Sequence, residues 1–274
     1  FDRLASHGLK INEGKCTFFQ PELDFLGHRI SREGVTPLPE KVSAITDFEQ
    51  PTREKGLRRF IGMISFYRRF VAKISTLLDP LYAMLTKASS KTNPVLKWTP
   101  ATVHAFNEAK RALASASLLV YPDPGAELSI LADASGTSVG AVLQQTARDG
   151  VTSPVAFFSK KLNNTQQKYS VFGRELLSIF LAVKNFRRYV EGRHFTIYTD
   201  HLPIVGAIAK NAPRDIDRET RHLEYILQYT NQVKHVAGKN NPVADALSRS
   251  DQQAAILTGR ISGILEHGDK EEIR

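Results

Sequence analysis

An α/β architecture is predicted for this sequence: a mixed five-stranded sheet with flanking helices in the second half, preceded by a mainly helical region that carries a small β-hairpin. Residues 128–144, LSILADASGTSVGAVLQ, set two apolar runs on either side of a Gly/Ser turn, which is the pattern of a hairpin from a sheet core. From there to residue 249 the apolar spacing switches between strand-like and helical in the order β-β-β-α-β-α-β-α, which calls for a mixed sheet with helices on both faces. Earlier in the chain the apolar positions recur mainly at helical spacing, and YPDPG at residues 121–125 is turn chemistry throughout, so the boundary between the halves falls there.

Composition narrows the class. The chain has 274 residues with 42% apolar ones, enough for one large domain or two ordinary ones with proper cores. Cys16 is the only cysteine, which excludes an intramolecular disulfide and a cysteine-based zinc site. No apolar run approaches the roughly 20 residues that span a bilayer, and no signal-peptide pattern opens the sequence; the expectation is a soluble, intracellular protein with no membrane partner. A formal charge of +9 points to a polyanionic partner, nucleic acid first. The sequence opens at Phe1 in mid-pattern, with Met63 and Met84 its only methionines, and is read as a piece of a longer polypeptide.

In chain order, residues 16–19, 23–26 and 28–30 are short strand-like pieces broken by Pro21, Gly27 and Gly34. Val42, Ile45 and Phe48 define a helix that ends before Pro51. Thr52 is the expected N-cap of the next helix, along which Leu57, Phe60, Ile61, Ile64, Tyr67 and Val71 trace one face. Arg58, Arg59, Arg68 and Arg69 fall mostly off that stripe, a basic flank that suits a phosphate backbone or simply a solvated face. Asp79-Pro80 opens a helix through Leu85, and after a polar loop Thr99-Pro100 caps another, with Val103, Phe106, Ala109 and Leu113 on one face and Trp98 as a packing anchor at its entrance.

In the second half, residues 128–131, 139–143 and 155–159 form the first three strands. A long helix over 165–190 buries Leu176, Ile179, Val183, Phe186 and Val190, and residues 195–199 form a fourth strand. A helix at 221–229, a fifth strand at 232–236, a loop at 238–241 and a short helix around 245–247 complete the order. Four acids occupy marked positions in it. Asp133 follows the first strand, Glu175 sits beside Leu176 and Ile179 toward the sheet border, Asp200 ends the fourth strand, and Asp245 lies near the start of the last helix. Each has a local explanation: a turn former, an ordinary helix glutamate, an N-cap, and an acid balancing a helix dipole. As a set they place several acids at strand ends and adjoining helices, and such a cluster of like charges is costly unless cations occupy it.

Longer motifs carry a resemblance. KCTFFQPELDFLGHRISREGVTPLPEKVSAI, GLRRFIGMISFYRRFV and DPLYAMLTK with Trp98 resemble the segment that follows the polymerase active site in reverse transcriptases of gypsy-type LTR retrotransposons. ILADASGTSVGAVLQQ, QQKYSVFGRELLSIFLAVKNFRRYVEGRHFTIYTDH and KHVAGKNNPVADALSR are similar to the RNase H domain of the same enzymes. The resemblance implies an RNase H-like fold over residues 125–249. It implies the end of a polymerase palm at 1–38, thumb and connection at 39–124, and a linker toward an integrase at 250–274. The family's polymerase motif, with two adjacent aspartates, is expected upstream of Phe1; no Asp-Asp pair occurs in the sequence, so DNA polymerisation is not expected of it.

By matching motif, Asp133, Glu175, Asp200 and Asp245 are implied to be metal-binding carboxylates. His235 is implied to assist near the scissile phosphate and Asn241 to contact substrate, while Lys160, Lys161, Lys168, Arg187, Arg188 and Arg193 are further phosphate-contact candidates. Ala132 stands where threonine is common, and Leu202 where a lysine often follows the histidine; neither removes a ligand. The implied chemistry is two-metal hydrolysis of the RNA strand of an RNA–DNA hybrid, with two Mg²⁺ ions about 4 Å apart and Mn²⁺ as a substitute. Implied partners are the hybrid, a template–primer duplex and the rest of a Pol polyprotein, polymerase fingers and palm on one side and integrase on the other. The implied location is a cytoplasmic virus-like particle or the nucleus. The rival readings are a catalytically silent RNase H-like clamp on nucleic acid and a domesticated host protein.

Overall fold

The computed structural model describes residues 1–85, 93–210 and 217–236. A short helix, α1 (Asp2–Ser6), leads through a 3-10 turn (Glu13–Lys15) to a three-stranded antiparallel sheet of β1 (Glu22–Phe25), β2 (His28–Ser31) and β3 (Val35–Pro37). Residues 16–19, expected as a strand, are irregular, and Phe19 closes them with φ 55, a left-handed backbone incompatible with a strand. β3 is too short to carry a period of its own. It pairs with β2, and Val35 also exchanges backbone hydrogen bonds of 2.9 and 3.0 Å with Leu119, with Gly34 close against the Leu119 carbonyl.

Four helices follow: α2 (Pro39–Thr46), α3 (Glu54–Phe66), α4 (Ile74–Ala83) and α5 (Pro100–Ala114). Their apolar stripes meet in one core around Ile45, Leu57, Phe60, Ile64, Phe106 and Leu113. Trp98 anchors it as expected, donating Nε1–H to the Pro51 carbonyl at 2.8 Å with its ring edge on Phe106. The Thr99 cap also forms, as a reciprocal pair with Thr102.

Three boundaries differ from expectation. Thr52 does not cap α3, because residues 52–53 are held extended: Leu96 donates to the Thr52 carbonyl at 2.9 Å, Arg53 bridges Val95, and Arg53 takes the cap position without a side-chain bond. The helix predicted through Val71 ends at Phe66, and a 3-10 turn (Arg68–Phe70) carries the stripe onward, leaving Phe70 and Val71 in the same core. α4 starts at Ile74 and not at Asp79-Pro80; Pro80 lies inside it, at the cost of the bond residue 80 would donate to the preceding turn.

The second half contains β4 (Glu127–Ala134), β5 (Ser138–Thr146), β6 (Thr152–Lys161), α6 (Asn164–Gln167), α7 (Val171–Val190), β7 (Phe195–Thr199), α8 (Leu202–Lys210), α9 (Asp217–Leu227) and β8 (Val233–His235). The strands form the predicted mixed five-stranded sheet in the order β6-β5-β4-β7-β8, antiparallel across β6, β5 and β4 and parallel across β4, β7 and β8. The long helix predicted over 165–190 is two helices, each with its own start: Asn163 accepts from Gln166 N–H, and Ser170 accepts from Gly173 N–H. α8 was not foreseen as an element.

Side-chain alternation gives the sheet a core on each face. Ile130, Leu143 and Phe158 join α7, α8 and α9 on one side. Their neighbours Leu131, Val142 and Phe157 join the core of the N-terminal helices on the other. Helices therefore cover both faces as predicted, but one layer is supplied by the first half of the chain.

Candidate metal centre

Sheet register brings the acids together. Leu131 of β4 lies opposite Tyr198 of β7 in parallel pairing, so Asp133 and Asp200, each two residues further on, emerge at the same end of the sheet. Asp133 is still within β4, while Asp200 lies just past β7. α7 packs across β4 and β5 and presents Glu175 from its N-terminal part. One carboxylate oxygen from each of Asp133, Glu175 and Asp200 lies within 4.8 Å of the other two.

The three differ in environment. Asp133 and Asp200 are exposed, whereas Glu175 is 7% exposed and its Oε2 has no hydrogen-bond partner. Burial, reinforced by the charges of Asp133 and Asp200, pushes the Glu175 carboxyl up to about 8, against a smaller opposing effect of the Ala134 backbone N–H. A buried carboxyl with one oxygen lacking a donor, beside two more carboxylates, is a fit for a hard divalent cation: all donors are oxygen, and the ion would cancel the repulsion.

His235, exposed on β8, lies beside this group, with Nε2 3.2 Å from the Asp200 carbonyl oxygen. Asp245 and Asn241 lie outside the described residues. The four arginines do not join the acids; they belong to the N-terminal half. Arg58 pairs with buried Glu54, Arg59 and Arg69 lie over the rings of Phe48 and Phe70, and Arg68 donates to the Ser159 carbonyl at 3.3 Å. Among the other basic candidates, Lys161 pairs with Asp79, Arg187 with Glu191, and Arg193 donates to the carbonyls of Asp123 and Ala126. One residue near the acids went unforeseen: Lys73, whose Nζ is 3.0 Å from Asp133 Oδ2. Nothing around it in the sequence marks it, because its place depends on how the two halves dock.

Comparison with known proteins defines the class first. Residues 98–197, from Trp98 through most of β7, match the RNase H-like domain found in reverse transcriptase. The Transposon Tf2-3 and Tf2-4 polyproteins of Schizosaccharomyces pombe are each 34% identical over 249 residues, which is 90% of this chain and 18% of theirs. The chain belongs to the reverse transcriptase/RNase H region of retrotransposon Pol polyproteins, and spans about a fifth of the length of those relatives. The fold is shared with the foamy viral protease-reverse transcriptase. Its structure with an RNA/DNA hybrid has a TM-score of 0.64 at 22% identity, covering 84% of this chain and 31% of that one. Its structure with dsDNA has the same score and identity, covering 84% and 47%.

Proposed function

We propose that the second half of this chain is a metal-dependent ribonuclease that cuts the RNA strand of RNA–DNA hybrids, working within a longer polyprotein that also polymerises DNA. The observation that carries this reading is the convergence of Asp133, Glu175 and Asp200, with Glu175 buried and its Oε2 without a hydrogen-bond partner. On this reading residues 125–249 are the nuclease unit, 1–38 the end of a polymerase palm, 39–124 its thumb and connection, and 250–274 a link toward an integrase. Asp245 is the fourth carboxylate and Asn241 a substrate contact.

Mg²⁺ or Mn²⁺ held by these acids would supply a polarised attacking water and charge neutralisation at the leaving oxygen. The residues themselves have separable tasks. Asp133 and Asp200, exposed at the rim of a rigid sheet, collect cations from solvent. Glu175 yields its proton on loading, and its burial then fixes the direction from which it binds. His235, exposed beside Asp200, handles a proton at the edge of the site. RNA is told from DNA by 2′-hydroxyls in the minor groove of the hybrid, read by shape. The charge of +9 suits a polyanionic substrate, and the foamy viral neighbour described with an RNA/DNA hybrid supports the same substrate class.

Cleavage of a labelled hybrid by the chain and by Asp200→Asn tests the proposal. Loss of at least roughly 100-fold in rate is expected, since even outer-shell partners of metal ligands cost 10–100-fold. Equal rates in the two proteins would sink the assignment, and tight hybrid binding without any cutting would leave a silent clamp.

A further inference from the structure

Lys73 comes from the N-terminal half, yet its ammonium sits on a carboxylate of the metal site, 3.0 Å from Asp133 Oδ2. It is not on a loose tail. It precedes α4 with φ 49 and ψ 23, a left-handed backbone that a residue with a Cβ rarely adopts. The turn it belongs to is fastened to the nuclease sheet on both sides. Ser75 N–H donates to Ser159 Oγ at 3.1 Å, the hydroxyls of Thr76 and Ser138 are 2.7 Å apart, Arg68 donates to the Ser159 carbonyl, and Asp79 pairs with Lys161. Ala72 and Lys73 thereby close one side of a cavity of about 230 Å³ whose other walls include Asp133, Phe157 and Asp200.

We infer that Lys73 is a built-in counter-cation of the metal site. It neutralises Asp133 while no divalent ion is bound and competes with the ion for the same oxygen, which raises the ion concentration needed to load the site. The inference rests on the reading of Asp133, Glu175 and Asp200 as metal ligands. An ammonium and a divalent ion cannot both take Asp133 Oδ2 at close range without mutual repulsion, so loading requires exchange. Exchange is feasible because the pair is half-exposed, with 58% of the Lys73 side chain and 51% of Asp133 open to solvent. The hydrogen bonds around the turn hold the Lys73 backbone beside the sheet, which keeps its ammonium within reach of Asp133.

The test is Mn²⁺ binding to the whole chain, followed by electron paramagnetic resonance without nucleic acid. Lys73→Met, which keeps the aliphatic stem, is expected to bind Mn²⁺ roughly five-fold more tightly than the unaltered chain, the factor set by an exposed ion pair. Lys73→Arg keeps the charge and is expected to match the unaltered chain. The gap between Lys73→Met and the unaltered chain is expected to narrow in high monovalent salt, which screens an exposed pair. If Lys73→Met folds poorly by thermal melt, Lys73→Gln makes the same comparison with a neutral polar side chain. Unchanged or weaker Mn²⁺ binding in the neutral variants overturns the inference. Asp200→Asn separates that failure from failure of the metal reading: its carboxylate is not the one Lys73 pairs with, so its removal is expected to weaken Mn²⁺ binding, and no weakening there overturns the metal site itself.

Discussion

A carboxyl group buried beside two others holds its proton to higher pH than an exposed one, and Glu175 is in that position. Its folded-state pKa is about 8 against an ordinary 4.5. As pH rises through 4.5 the unfolded chain loses this proton while the folded chain keeps it, so the stability of the metal-free protein falls between pH 4.5 and about 8 and then levels off. Melting in EDTA from about pH 5 to about pH 9 is expected to show that fall. Glu175→Gln removes this part of the slope and is expected to be more stable than the unaltered chain at pH 8. An identical pH profile in the two proteins would contradict the assignment of the buried charge to Glu175. At this scale the sequence was informative where chemistry is tied to an element: Asp133 and Asp200 mark strand ends, and the neighbours of Glu175 turn it toward the sheet. Lys73 was not legible, since its contact with Asp133 joins residues of different halves and no local pattern encodes it.

Among the elements, β3 is paired with β2 and is also held by a close backbone approach to Leu119. A Cβ at Gly34 would lie 2.2 Å from the Leu119 carbonyl oxygen, at a φ of 150 that L residues avoid. Gly34→Ala is expected to cost about 2–4 kcal/mol, read as a lower denaturant midpoint at unchanged slope. Thr99→Ala removes a formed capping box and is expected to cost only about 1 kcal/mol. Strands and helices with a clear apolar period were readable along the sequence, and their ends were readable where a side chain caps them, as Thr99 does. Where tertiary pairing decides, they were not. Thr52 has the right chemistry for a cap but is held extended by Leu96, and Pro80 has the right chemistry for a helix start but is tolerated within α4. α8, LPIVGAIAK, is apolar along nearly its whole length, so no period separates it from a strand.

The two halves of the molecule share a core, and this has a mechanical consequence. Val142 and Phe157 lie on the far face of the five-stranded sheet and join the core that holds Phe60, Phe70 and Phe106, so burial of that face couples the halves, while the other face has a core of its own. A single cooperative unfolding transition is expected. Phe157→Ala is expected to cost about 3–4 kcal/mol. Trp98, the sole tryptophan, sits in the first half and reports on it: its fluorescence midpoint in urea is expected to shift with Phe157→Ala as much as the far-UV circular dichroism does. Separate midpoints would mean independent domains. The sequence boundary at residues 121–125 separates the two patterns of elements but does not coincide with the division between the cores, because the unbroken apolar runs of β5 and β6 say that both faces are apolar without saying what covers them.

On the proposed function, the carboxylate cluster at the end of this sheet cuts RNA. That function is tested most directly by incubating the chain with an RNA–DNA hybrid, each strand labelled in turn, in Mg²⁺ or in EDTA. Cutting of the RNA strand alone is expected, only with the metal, to products that end in 3′-hydroxyl and 5′-phosphate. Cutting that persists in EDTA, or that falls equally on the DNA strand, would contradict the proposed function.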